Sequence, residues 1–208
     1  MVASAASPAL AIGSGQLTLG VRSGGFEAAE VFALAEHHRG VGMFAAPTIV
    51  RRLVEHAAAK APALEGLRTI VYGGGPMYVA DLLRAIDVMG PRFVQIYGQG
   101  ETPMTATALA RRHLTDTAHP RHLERLGSVG VAQTPAQIRV ADERGRDVDV
   151  GEIGEVLVRG DSVMAGYWRN PEASAAALRE GWLWTGDVGA LDADGFLTLK
   201  DRSKDLVI

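Results

Sequence analysis

The feature that most constrains this chain is an alternation in its first half, in which short apolar runs stop at glycine or proline and helical patterns follow. Residues 41–46 form such a run and end at Pro47; Val50, Leu53, Val54 and Ala57 then recur at helical spacing over 49–59. A second run, 69–72, ends at Gly73, Gly74 and Gly75, and Pro76 precedes a helix carrying Val79, Leu82, Leu83 and Ile86. Gly90 and Pro91 close that helix, and a third run follows at 93–97. Ahead of all three, 26–39 reads as a helix with Val31, Leu34 and Ala35 on one face and Gly40 at its end. Strands alternating with helices of this length imply an α/β fold with a parallel sheet and right-handed crossovers. In such sheets the carboxyl ends of the strands emerge at one edge, which is where ligands bind.

From Arg111 the grammar changes. Residues 111–125 read as a polar linker containing His113, His119, Pro120 and His122; without a cysteine or carboxylate in register, three histidines do not make a zinc site. Beyond it, alternating runs at 137–141, 153–159 and 196–200, with turns at 142–145 and 192–195, predict a mainly β region. One helix interrupts it, opened by Asn170 as N-cap with Pro171 at its first position, running through Leu178 and ending near Gly181. The expected organisation is a loosely specified tail at 1–23, a parallel αβ subdomain at 24–110, the linker, a smaller mainly-β, barrel-like subdomain at 126–200, and a terminal segment at 201–208.

Composition narrows the function classes. A net charge of −3 supplies no basic field for nucleic acid or anionic lipid. The absence of cysteine excludes disulfides, thiolate metal sites and a cysteine nucleophile. No run approaches the roughly 20 apolar residues of a membrane span, and the first residues lack the charged and apolar regions of a secretory signal. A soluble, cytoplasmic protein is expected.

Two glycine-rich strand ends stand out. Gly73, Gly74 and Gly75 can form one wall of a flat slot and Tyr97 with Gly98 another, the tyrosine ring being able to stack on a purine. Glu101 follows in "IYGQGET", placed where a carboxylate can help hold magnesium, which takes one or two protein carboxylates and otherwise phosphate and water oxygens. On spacing alone this is a nucleotide or cofactor pocket, or simply two places where the chain turns.

The stretches "YGGGPM", "QIYGQGETPM", "GEIGEVLVRGDSVMAGYWRNPEASAAAL", "GWLWTGD" and "DRSKDLVI" together resemble, in order and spacing, the acyl-adenylate-forming superfamily, and within it the AMP-dependent acyl-CoA synthetases or acid:CoA ligases. The resemblance covers about 24–208. It implies that a carboxylic acid, fatty or aromatic, is activated by ATP as acyl-adenylate and transferred to coenzyme A, with magnesium and without a protein nucleophile. It further implies that Gly73, Gly74, Gly75 and Pro76 form the adenine-side turn, that Tyr97 packs on adenine, and that Gly98 and Gly100 belong to the cofactor-binding turn. Glu101 then matches the magnesium-associated acid, Asp187 the carboxylate that accepts from the ribose hydroxyls, and Arg202 the arginine near ribose and phosphate. Lys204 matches the hinge, so Glu101 and Lys204 are the catalytic candidates; Gly98 and Met104 are candidates for the acyl pocket.

The sequence departs from the family at Gly100, where the pattern Y-G-x-T-E has threonine. No S-G-T-T-G-x-P-K type phosphate loop occurs in the sequence, and the resemblance ends at the hinge. The expectation is therefore a part of a ligase with little activity alone, whose uncovered apolar face leads it to self-associate or to join a complementary chain. The alternative is a noncatalytic nucleotide- or partner-binding module or split subunit.

Overall fold

In the computed structural model, which describes residues 25–134 and 136–202, the alternating first part folds as two parallel strands with intervening helices. Helix α1 is Ala28–His38, β1 Val41–Ala45, α2 Pro47–Lys60, β2 Leu67–Tyr72 and α3 Val79–Met89. Pro47 occupies the first turn of α2, where its missing N–H costs nothing, so the helix begins two residues earlier than its apolar spacing indicates. Ala45 lies opposite Tyr72 in the parallel ladder, which brings the carboxyl ends of β1 and β2 level. Pro47 and Gly75 follow those ends, with the proline ring 3.8 Å from where a Gly75 side chain would begin.

The core of this part holds Leu53, Leu67, Ile70, Leu82 and Phe93, all fully buried; each aliphatic side chain of this kind stabilises by roughly 1.5–3 kcal/mol. Arg92 joins three neighbouring segments. Its guanidinium donates to the carbonyls of Leu64 (2.6 Å), Leu67 and Met89. Ile70 N–H donates to the Arg92 carbonyl at 2.8 Å, so the chain entering β3, Phe93–Gln99, runs beside β2.

The described residues divide into two compact units between Val94 and Gln95. This lies earlier than the change of sequence grammar near residue 110. The reason is β4, Thr102–Leu109, which returns antiparallel along β3 and pairs with β5, Val131–Ala132. The 111–125 stretch is not a free linker. It contains α4, Arg111–Thr115, and α5, His122–Leu126, held to the later β-hairpin by Arg121–Asp192 (3.0 Å), Arg125–Asp194 (2.8 Å), and the Arg125 guanidinium 4.7 Å over the Phe196 ring.

A second sheet runs β10–β9–β7–β6 and curls as an antiparallel half-barrel, from β6 (Gln137–Ala141), β7 (Gly154–Arg159), β9 (Trp182–Leu191) and β10 (Leu197–Arg202). Its inner face packs Val140, Val156, Val158, Leu183 and Leu197 with Tyr97 and Ala106. Helix α6, Pro171–Ala177, begins as expected: the Asn170 side chain accepts from Ala173 N–H at 3.0 Å. It stops one residue short of Leu178, which with Arg179 forms the brief strand β8 against β9. No helix among the described residues is long and apolar enough to cross a membrane.

Candidate functional site

The second unit contains a cleft of about 690 Å³, lined by the end of β3, the Thr185–Gly186 turn of β9, Tyr167, and the flank of α6. Next in the chain to the cleft-lining Gly186 is Asp187, buried at 6% exposure. A buried carboxylate is tolerated only when hydrogen-bonded, and here two donors meet one oxygen. Tyr97 Oη donates to Asp187 Oδ2 at 2.7 Å, and Gln99 Nε2 donates to the same oxygen at 2.7 Å. Gln99 Nε2 also reaches the Thr185 carbonyl at 3.0 Å. The local turn of β9 is held separately: Thr185 Oγ1 donates to the Val156 carbonyl (2.7 Å) and accepts from Asp187 N–H (3.1 Å), while Gly186 N–H donates to Glu155 Oε1 (2.9 Å). Arg202 stands opposite Asp187 in the β10–β9 ladder.

At the other end of the β3 turn, the half-buried Glu101 accepts from Tyr167 Oη at 2.5 Å and offers its carbonyl to Met164 N–H at 2.8 Å. The hydrogen bond to the Glu101 carboxylate pushes the Tyr167 phenol above its usual range. The turn after β3 thus meets Asp187 of β9 through the Gln99 side chain and carries Glu101 two residues further on.

The two glycines of that turn differ in purpose. A side chain on Gly98 would begin 2.3 Å from the Thr102 carbonyl oxygen and 2.6 Å from Met104 N. Its missing side chain makes room for the chain's own β4, while Gly98 itself lines the cleft. Gly100 has nothing within 4 Å in the same direction and is exposed. Met104 is half-exposed on β4 with φ of 57° and does not line the cleft. Tyr97 belongs to the half-barrel core at 9% exposure, with its hydroxyl rather than its ring reaching the carboxylate. Gly73, Gly74, Gly75 and Pro76 follow β2 in the first unit; Gly74 takes φ of +77° with open space around it. Lys204 lies outside the described residues.

Gln99, Thr185, Glu155 and Tyr167 are parts of the site that sequence reasoning passed over. Each sits inside a quoted motif, but only the fold turns Gln99 towards β9 and Tyr167 towards Glu101. Among the described residues no group of three histidine, cysteine, aspartate or glutamate side chains is arranged to hold a metal ion. The donor set fits a nucleotide accompanied by magnesium in the way such ions bind, through one protein carboxylate and otherwise phosphate and water oxygens. An acceptor-only carboxylate such as Asp187 also suits a diol.

The chain belongs to the AMP-binding enzyme family, whose model matches residues 7–168. The match begins well before residue 24, where the motif resemblance starts. Feruloyl-CoA synthase from Amycolatopsis is 37% identical over 183 residues, covering 88% of this chain and 35% of that protein. Among solved structures, the amide bond synthetase McbA from Marinactinospora thermotolerans is 38% identical with a TM-score of 0.79, covering 88% of this chain and 36% of that one. O-succinylbenzoate coenzyme A synthetase from Bacillus subtilis, in complex with AMP, is 31% identical with a TM-score of 0.76 over 88% and 35% of the two chains. The same enzyme has been solved with ATP and a magnesium ion. The present chain spans about a third of the length of these relatives.

Proposed function

We propose that this chain carries the nucleotide-facing side of an acid:CoA ligase site, at which a fatty or aromatic carboxylic acid is activated as acyl-adenylate and passed to coenzyme A. The observation that carries the reading is the Asp187 carboxylate, buried and oriented by Tyr97 and Gln99 directly behind the cleft-lining Gln99 and Gly186. In this reading Asp187 accepts the ribose hydroxyls, and Tyr97 packs on adenine. Gly73, Gly74, Gly75 and Pro76 supply the adenine-side turn, Gly98 and Gly100 shape the turn at the end of β3, and Arg202 attends the ribose and phosphate. Glu101 holds magnesium, which supplies neutralisation of phosphate charge. Gly98 and Met104 stand near the acyl group and Lys204 at the hinge. Catalysis of this kind depends on positioning and electrostatic stabilisation rather than on a protein nucleophile.

The sequence has no glycine-rich phosphate loop of the family's type, so the chain by itself binds nucleotide with little or no turnover. Its location is the cytoplasm, where ATP and coenzyme A are supplied, and it joins a second copy or a complementary chain. Calorimetric titration with AMP tests the reading: binding that is abolished in Asp187→Ala supports it, and binding unaffected by that substitution overturns it. Robust ATP–pyrophosphate exchange by the isolated chain would overturn the claim of inactivity alone.

The 38% identity to an amide bond synthetase favours a second reading, in which an amine rather than a thiol takes the acyl group. Incubation with a preformed acyl-adenylate and either coenzyme A or an amine, followed by mass spectrometry of the product, separates the two.

A further inference from the structure

The acid Glu101 is gripped from outside its own turn. The chain between β7 and α6 crosses it twice, once through Met164 N–H on the Glu101 carbonyl (2.8 Å) and once through Tyr167 Oη on the carboxylate Oε1 (2.5 Å). Tyr167 is in turn fixed to the first turn of α6: its N–H donates to Ser174 Oγ at 2.8 Å, and that hydroxyl donates to the Asn170 carbonyl at 2.7 Å. Gly166 makes the approach possible. It adopts φ of +146°, and a side chain there would begin 3.0 Å from Ser174 Oγ. Tyr167 also lines the cleft beside Glu101.

We infer that Tyr167 is a positioning residue for Glu101, its hydroxyl engaging one carboxylate oxygen so that the other is presented to magnesium in a single orientation. This rests on the reading of Glu101 as the metal-associated acid. A carboxylate free to rotate can chelate through both oxygens or turn away. Magnesium demands near-octahedral geometry and dehydrates reluctantly, so it gains from a carboxylate held to one oxygen. Tyr167 touches neither nucleotide nor metal in this scheme; it acts through Glu101, and Ser174 acts through Tyr167.

The test is calorimetric and needs no turnover. Affinity is measured for ATP with manganese and for ATP in excess chelator, and the ratio of the two gives the advantage that the metal confers. Tyr167→Phe removes one hydroxyl and is expected to lower that ratio about 3- to 10-fold, less than the whole of a hydrogen bond to a charged group because the carboxylate stays in place and only its orientation is loosened. Affinity for metal-free ATP should be unchanged, whereas a merely structural role would weaken both. Ser174→Ala keeps the phenol but releases its backbone, and is expected to lower the ratio in the same direction. In a Glu101→Gln background, Tyr167→Phe should add nothing. Wild-type chain that binds ATP with a metal advantage left intact by both variants overturns the inference alone. Wild-type chain that binds no ATP, with or without manganese, overturns the underlying reading and the inference together.

Discussion

Tyr97 and Asp187 lie 90 positions apart in sequence, yet the phenol hydroxyl of one donates to Oδ2 of the other at 2.7 Å inside the second unit. The pair ties β3 to β9, and with them the turn that follows β3 to the carboxylate of the Thr185-Gly186-Asp187 motif. Gln99 donates to the same oxygen at the same distance, so the two donors share one acceptor and should not contribute independently.

That sharing is measurable. Tyr97→Phe leaves the ring in the half-barrel core but removes one donor from a buried carboxylate; hydrogen bonds to charged groups are worth about 1.5–3 kcal/mol. Urea denaturation should show a loss within that range. Gln99→Leu should show a similar loss. A double-mutant cycle should reveal coupling of about 0.5 kcal/mol or more, since residues bound to one partner are not additive. AMP affinity should fall in both single variants.

The next prediction concerns Gly98, beside Tyr97 on β3. Gly98→Ala drives a methyl group into the backbone of Thr102 and Met104, at 2.3 and 2.6 Å. Backbone cannot yield as a flexible side chain would, so destabilisation of about 3 kcal/mol or failure to fold is expected. Soluble expression and thermal unfolding of Gly98→Ala against wild type would decide the matter.

Much of the first unit was legible because β1, β2 and the helices around them are simple apolar runs bounded by glycine and proline. The second unit was less so. β4 reads TPMTATAL, mixing proline with threonines, and two of those threonines are fully buried. They are accommodated by hydrogen bonds that sequence cannot display: Thr107 Oγ1 donates to the Val129 carbonyl at 2.7 Å, and Thr102 shares a hydroxyl–hydroxyl contact with Thr105 at 3.1 Å. β9 was read as a motif rather than a strand, because Gly186 and Gly189 break its alternation. Asp187 and Glu101 were recognisable from motif context, but Gln99 and Tyr167 became visible only through the partners that the fold gives them.

Arg92 illustrates the same point in the first unit and yields a third prediction. Nothing marks it in sequence, yet its guanidinium satisfies the carbonyls of Leu64, Leu67 and Met89. Arg92→Ala should cost about 2–4 kcal/mol by leaving carbonyls without donors. Arg92→Lys should recover less than half of that, because an ammonium cannot reproduce the planar fork. Chemical denaturation of the two variants against wild type checks both values.

The α4–α5 cluster predicts how stability changes with acidity. His113, edge-on to the Phe196 ring at 4.9 Å, is held below its usual pKa by burial first, and then by Arg112 and Arg125. Asp194 is held below the usual carboxylate range, chiefly by its hydrogen bond from Arg125. For both groups the unfolded chain binds protons more readily than the folded one, so stability rises with pH across each window. The His113 contribution is complete above about pH 6.5 and is lost as pH falls towards its lowered value; that of Asp194 is complete above about pH 3.9 and is lost below it. Denaturation midpoints measured from pH 8 down to pH 3 should fall in two stages. His113→Gln should remove the upper stage, and Asp194→Asn should flatten the lower one.

Gly100 offers a prediction in the opposite direction, towards gain. The family pattern has threonine at this position, and the space beyond Gly100 is empty for at least 4 Å where a side chain would begin. Gly100→Thr should therefore fold with stability within about 0.5 kcal/mol of wild type, as surface substitutions away from special features do. If the turn between β3 and β4 faces nucleotide phosphates, the added hydroxyl should strengthen ATP binding by about 0.5–1.5 kcal/mol, or roughly 2- to 12-fold, while leaving adenosine binding unchanged. Calorimetry with both ligands is the measurement. Equal gains for ATP and adenosine would place the hydroxyl away from the phosphates, and loss of ATP binding in a well-folded variant would show that the open space at Gly100 is itself required.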